Sequence, residues 1–231
     1  MSTRERARLR LIGGSQIASF IRCLQITPTQ ATFAQFLDKQ FQSEFTGNVY
    51  TEVGNLCEDL ILEEILPLIE ESNKRTIHYE FPLFQLCSTP DAILRDGRVI
   101  EIKTKVRDHG RNPITAQHAL QLVYYMVMRD KEFGSLIYYT PDRDFESLHL
   151  IGEYQVSLSK VDRDFFRETL VYCCRSMSDL LPGQDKKPSV SSHATVLYDY
   201  KRMFIKQLSP FTPIFIDKWP TDLGELMKSL E

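Results

Sequence analysis

Asp91, Glu101 and Lys103 are the residues of this chain whose types and spacing best suit chemistry. They fall in the stretch STPDAILRDGRVIEIK, residues 88–103. Two β-type segments, 92–95 and 98–102, flank Asp96-Gly97. That dipeptide between apolar runs is a hairpin signal, because the turn needs a positive φ that glycine adopts without penalty. Alternation along the second strand places Glu101 and Lys103 on the face opposite Ile102, and Asp91 stands at the start of the first strand. Two carboxylates and one ammonium on largely apolar strands are expensive to bury unless compensated. A hard divalent cation held by Asp and Glu oxygens would compensate them. The alternative is a structural ion pair from Lys103 to Asp91 or Glu101, with one carboxylate in excess.

Other residues can bear on the same chemistry. Arg4 to Arg10 carries four arginines in seven residues, and Gly13-Gly14-Ser15 follows. Ser15 is a good N-cap for a helix over 16–24, and a helix start beside arginines suits a phosphate. An ordinary capped helix with a solvated basic tail is the alternative. Gln121 and Tyr125, four apart, share one face of a predicted helix over 115–129. Lys105, Arg107 and Arg111 lie in a polar Gly- and Pro-containing loop just beyond Lys103. The five histidines have no metal-ligand spacing.

The remaining elements must position these groups. The chain has 231 residues, 42% hydrophobic and 26% charged, as expected of a globular protein. No apolar run approaches the roughly 18–20 residues that span a bilayer, and no apolar stretch of signal-peptide type follows the basic start. Five cysteines without C-x-x-C spacing predict buried thiols and an intracellular protein. With a net charge of −3, nucleic-acid contacts must come from local basic patches. Helices are predicted over 32–42 and over 52–71, where Pro67 must kink or end the second. One strand is expected over 76–86, with Pro82 at an edge or bulge. Strands over 134–140 and 147–156, a helix over 160–181 and a linker over 181–192 follow. The aromatic tail, with Tyr198, Phe204, Phe211, Phe215 and Trp219, should pack on the core or on a partner.

The order helix, strand, hairpin, helix, strand, with P-D-(x9)-E-I-K in the hairpin, resembles the PD-(D/E)XK nuclease superfamily. Gly54-x-x-x-Glu58 resembles its additional acidic motif, and Gln121-x-x-x-Tyr125 resembles its QxxxY motif. RLRLIGGS, from Arg8 to Ser15, is similar to the N-terminal motif of lambda-phage-type and viral alkaline exonucleases. The resemblance implies an α/β (α+β) fold: a restriction-endonuclease-like core with a central mixed sheet flanked by helices, N-terminal helices and a C-terminal extension. The expected division is a nuclease core over 1–181 and an extension over 182–231.

The implied activity is hydrolysis of DNA phosphodiester bonds with Mg²⁺, or Mn²⁺ in its place. Asp91, Glu101 and the Ile102 carbonyl would be the metal ligands, with Glu58 reaching the same or a second ion. Lys103 would orient or deprotonate the attacking water, or neutralise developing charge. Gln121 would orient substrate or water, with Tyr125 packed behind it. Arg8 and Ser15 would hold a 5′-phosphate at a duplex end, and Lys105, Arg107 and Arg111 would follow the phosphate backbone. The resemblance further implies 5′-to-3′ exonuclease action in recombination or genome processing, a ring-shaped trimer, and no membrane. Two alternatives stand beside it: a nuclease acting on RNA, and an inactive nucleic-acid-binding or scaffold protein whose aromatic tail meets a protein partner.

Overall fold

The computed structural model describes residues 10–26, 29–42, 49–105, 114–141, 147–180, 184–202, 205–207 and 214–215. Ten strands and six α-helices are assigned among them: β1 Arg10–Ile12, α1 Gly14–Ile26, α2 Gln30–Gln42, α3 Val49–Glu64, β2 Ile69–Ser72, β3 Thr76–Glu80, β4 Phe84–Ser88, β5 Ala92–Leu94 and β6 Val99–Thr104. Then come α4 Ala116–Met128, β7 Phe133–Pro141, β8 Ser147–Ser157, α5 Lys160–Ser178, α6 Pro188–Asp199, β9 Ile205–Gln207 and β10 Ile214–Phe215.

The larger sheet runs β10-β8-β7-β6-β5-β2, with β9 also pairing β8; the smaller is β1-β4-β3. β6 and β7 are parallel while β5–β6 and β7–β8 are antiparallel, so the sheet is mixed. The parallel pair needs a crossover, which α4 supplies. Every residue of α4 from Ala119 to Met128 is buried, as befits a helix packed on all sides. Its neighbours α1, α2, α5 and α6 build the main core around Phe20, Phe33, Phe84, Phe166 and Tyr124. On the other sheet face α3 buries Val53, Cys57 and Ile61 over Ala92, Ile100 and Ile102. Helices thus cover both faces of a mixed sheet, which is the expected fold class.

Several local expectations are corrected. The helix expected over 52–71 ends at Glu64; Pro67 enters a 3-10 turn, and Ile69–Ser72 pairs antiparallel with β5 as a strand. The single strand expected over 76–86 is a β3–β4 hairpin, closed by the Phe81 N–H donating to the Phe84 carbonyl at 2.9 Å with Pro82 in the turn. Helix α1 begins at Gly14, so Ser15 lies inside the first turn; the Gln16 side chain receives the Gly13 N–H at 3.0 Å instead. The linker over 181–192 gives way to helix from Pro188, a residue whose missing N–H suits the first helical position. Val190, Ala194 and Leu197 of this helix join the main core, and Lys186 donates to the Leu24 and Gln25 carbonyls at 2.8 and 2.7 Å, capping α1. The five cysteines are buried and none is in a disulfide. No helix among the described residues is long and apolar enough to cross a membrane.

Candidate active site

The Asp96-Gly97 turn forms as its sequence predicts, with Gly97 at φ 86. The β5–β6 ladder is short. It holds only Ala92 with Ile100 and Ile93 with Val99, whereas β6 stays paired to β7 as far as Thr104. Beyond Ile100 the two strands therefore part, and the free edge of β6 opens into a fork. The Ile102 N–H on that edge has no strand partner, and Asp91 Oδ2 accepts it at 2.6 Å. A strand residue's N–H and C=O point the same way, so the Ile102 carbonyl faces the fork as well.

Glu101 points to the opposite sheet face, toward α4, and is fully buried. Its Oε1 accepts from Gln121 Nε2 at 2.5 Å and pairs with the Lys103 ammonium. Gln121 Nε2 also lies 3.4 Å from the Tyr125 hydroxyl, so the helical pair is held in one network. Glu101 Oε2 is buried without a hydrogen-bond partner. An orphaned acceptor of this kind costs about 1–3 kcal/mol, and more when charged.

The electrostatics register the same excess of negative charge. Burial raises Asp91 well above the usual carboxylate range, Glu101 adds to this, and Lys103 and the Ile102 N–H oppose it. Burial holds Glu101 up at about 7 against the Lys103 ammonium. Glu58, reaching over from α3, is pushed up to about 7 by burial and then by Asp91. Burial disfavours the Lys103 ammonium, yet Glu101, Asp91 and Glu58 together raise it above its ordinary value. Three carboxylates thus face one ammonium. Glu58, Asp91, Glu101, Lys103 and Gln121 are brought together, with Tyr125 behind Gln121.

Ser15 is exposed at the start of α1, and its carbonyl accepts from Gln117 Nε2 at 3.2 Å, so α1 begins beside the helix that carries Gln121. Lys105 continues β6 and lies over the Tyr138 ring, 5.2 Å from its centroid. Arg8, Arg107 and Arg111 lie outside the described residues. A cavity of about 620 Å³ is found between the end of α3 and the sheet, but none of the fork residues lines it.

A Cβ at Gly14 would stand 2.4 Å from the Tyr125 ring. Gly14→Ala should therefore destabilise the protein by about 1–3 kcal/mol. By displacing Tyr125 it should also loosen Gln121, seen as activity lost beyond the loss of folded protein in a melt.

Sequence reasoning missed three supports of the site. Arg129, at the end of α4, donates Nε to Ser88 Oγ at 2.8 Å and pairs with Glu71 at 2.9 Å, tying β4 and β2 to the helix. Asn73 follows β2 and its N–H donates to the Asp91 carbonyl at 3.1 Å. A lone Asn between polar neighbours, or a lone Arg at the end of an apolar helix, carries no spacing signal that could have marked either. His118, half-buried near Lys103, has Nδ1 2.8 Å from the Tyr138 hydroxyl.

Burial, then the Lys103 and Lys105 charges, lower His118 from 6.5 to about 4. In that window the unfolded chain binds the proton and the folded chain does not. The His118 contribution to stability is therefore complete above its ordinary pKa and is lost as pH falls toward the folded value. The stability difference between wild type and His118→Gln should shrink by about 2 kcal/mol from about pH 7.5 to about pH 5, read from urea midpoints.

Among the described residues no three Asp, Glu, His or Cys side chains form a ready metal cage. The donors at the fork are of another composition: Asp91, Glu101 with its orphaned oxygen, and the Ile102 carbonyl, with water able to complete the shell. All are hard oxygen donors, which fit Mg²⁺ or Mn²⁺.

No protein-family model matches the chain, and no curated protein matches it in sequence. Among solved structures it is similar to an alkaline exonuclease (LHK-Exo) from Laribacter hongkongensis, with 13% identity, 87% of this chain and 94% of that chain covered, and a TM-score of 0.45. It is also similar to a phage-related exonuclease from Haemophilus somnus 129PT, with 12% identity, 99% and 100% covered, and a TM-score of 0.44. A likeness this distant assigns no activity, so function has to be argued from the site itself.

Proposed function

We propose that the chain is a divalent-metal-dependent phosphodiesterase of the PD-(D/E)XK type. Within that class, the reading that fits best is a 5′-to-3′ exonuclease acting on linear duplex DNA. The observation that carries the proposal is Glu101 Oε2, buried and unpartnered beside Asp91 and Lys103. A fold stabilised only by ion pairs has no use for a surplus buried carboxylate. A fold that holds a cation does.

Asp91, Glu101 and the Ile102 carbonyl would hold Mg²⁺ or Mn²⁺, with Glu58 joining from α3. The cation supplies Lewis acidity that makes water a stronger acid and relieves charge on a phosphate. The chain's own residues do the rest. Lys103, kept an ammonium by its carboxylate neighbours, would orient the attacking water and neutralise charge as the water oxygen bonds to phosphorus and the bond to the leaving oxygen breaks, the proton given up by the water passing to solvent and the leaving oxygen taking one from solvent. Gln121, bonded to Glu101, fixes that carboxylate and presents its amide to the substrate. Ser15 lies in the first turn of α1, beside α4, and the first N–H groups of that helix would receive a terminal 5′-phosphate, with Arg8 as a further contact. Lys105, Arg107 and Arg111 would follow the backbone of the bound strand. A trimer is the assembly the resemblance implies, to be checked by sedimentation.

The test compares 5′-phosphorylated linear duplex, 5′-hydroxyl duplex, single strands, closed circles and RNA, with and without Mg²⁺. Metal-dependent loss of the phosphorylated duplex from its 5′ ends, with circles untouched, is expected. Cleavage of circles would make the protein an endonuclease, and preference for RNA would change the substrate class. Inertness with every divalent ion would overturn the proposal in favour of a non-cutting binder.

A further inference from the structure

Tyr138 stands beside Lys103 in the parallel β6–β7 ladder, so the two side chains leave the same face of the sheet. Its ring is fully buried and meets Tyr154 edge-on, with 6.0 Å between centroids. A buried tyrosine hydroxyl needs a hydrogen-bond partner, and His118 supplies it, with Nδ1 at 2.8 Å. The same ring carries Lys105, whose ammonium lies 5.2 Å from its centroid. One rigid aromatic residue thus gathers His118, Lys103 and Lys105 beside the fork.

His118 is three residues before Gln121 on α4, one turn nearer the start of the helix and on the same face. Its main-chain N–H is taken by the Thr115 side chain, which caps the helix at 3.1 Å. The imidazole is what remains to it. A tyrosine O–H that donates to Nδ1 puts the ring's own proton on Nε2. Among the described residues Nε2 has no hydrogen-bond partner, nor is it one of their buried polar atoms left without one, so this donor reaches solvent. Burial and the charges of Lys103 and Lys105 keep the ring neutral near pH 7. A residue serving only the Tyr138 hydroxyl needs a single acceptor, which asparagine would provide. The second nitrogen is a donor of fixed direction next to two lysines, an arrangement that suits a phosphate oxygen.

We infer that His118 is a substrate-binding residue, its Nε2–H donating to a phosphate oxygen of the nucleic-acid strand that leaves the fork along Lys105. This rests on the proposed function and adds a neutral contact to its basic ones.

The experiment measures binding of a 5′-phosphorylated duplex by fluorescence anisotropy in EDTA at neutral pH, over a range of salt, with RNA of the same length as a second probe. Wild type, His118→Asn and His118→Gln are compared, alongside thermal melts and cleavage kinetics in Mg²⁺. Asparagine sets its oxygen where Nδ1 stood but lacks the second donor, whereas glutamine sets its amide nitrogen near Nε2. His118→Asn should melt close to wild type yet bind the duplex about tenfold more weakly. Its KM should rise while kcat is kept, as for a contact made equally before and during reaction. His118→Gln should recover most of the lost affinity. The dependence of log affinity on log salt should keep its slope in both variants, because a neutral donor releases no counterion. Wild-type affinity in His118→Asn, equal losses in both variants, or a fall in kcat with KM unmoved would each overturn the inference. So would a flatter salt slope, which would mean that His118 acts by placing Lys105. The expected pattern on RNA alone would uphold the contact and change the substrate class of the proposed function. The pattern in binding without any cleavage would uphold the contact and overturn that function, and wild type that binds neither probe would overturn both.

Discussion

Asp91→Asn should abolish cleavage, by about a thousandfold or more, while making the metal-free protein more stable. The two effects have one cause. Asparagine keeps an oxygen that can accept the Ile102 N–H, so the bond that stabilises the fork survives. It removes one of three carboxylates crowded around a single ammonium, and with it a proposed metal ligand. For carboxyls raised on folding, as Asp91 and Glu101 are, the folded state holds the proton more tightly than the unfolded state. The stability this gives is fully present below the ordinary carboxylate pKa, and for Glu101 is lost as pH rises through about 7. Near pH 8 the metal-free wild type should therefore be at its weakest, and Asp91→Asn should exceed it by about 1 kcal/mol, or a few degrees in Tm. A variant that is both inactive and less stable would mean that Asp91 is a structural residue.

Lys103→Gln separates chemistry from metal binding. Cleavage should fall by about two to three orders of magnitude, because nothing then neutralises charge at the scissile phosphate. Affinity for Mg²⁺ should rise, because a cation and an ammonium compete for the same carboxylates. Removing the ammonium is worth about 1 kcal/mol to the ion, roughly fivefold in Kd. Calorimetry beside a cleavage assay reads both quantities. Loss of affinity in step with activity would show Lys103 to be a strut of the fold, the simple ion-pair alternative.

The parts legible in the sequence were those with a local physical cause. Asp96-Gly97 announces the hairpin because the turn requires a positive φ, and alternation alone places Glu101 and Ile102 on opposite faces. Gln121 and Tyr125 shared a helical face by their spacing, although nothing local showed that Gln121 would reach Glu101. Where reading failed, the cause was a competing signal or a distant partner. Ile69–Ser72, IEES, is too short and polar to alternate visibly, so its sequence cannot be told from the end of the helix before it. Pro82 suits an edge or a bulge as well as a turn, and it is the turn between β3 and β4 that it occupies. The serines after Pro188 suggested a linker, yet Val190, Ala194 and Leu197 lie on one helical face and bury against α1. The fork itself is tertiary: it exists because β5 leaves β6 after two rungs, and no residue type encodes that departure. Asn73 belongs to the same class, since its N–H meets the Asp91 carbonyl only once β2 has paired with β5.

The central claim is that the fork binds a divalent cation, and anomalous scattering from a crystal soaked in Mn²⁺ tests it most directly. A peak within coordination distance of Asp91, Glu101 and the Ile102 carbonyl, absent from an Asp91→Asn crystal treated alike, is the predicted result. A fork without a peak, its carboxylates still bonded only to Lys103, Gln121 and the Ile102 N–H, would contradict it.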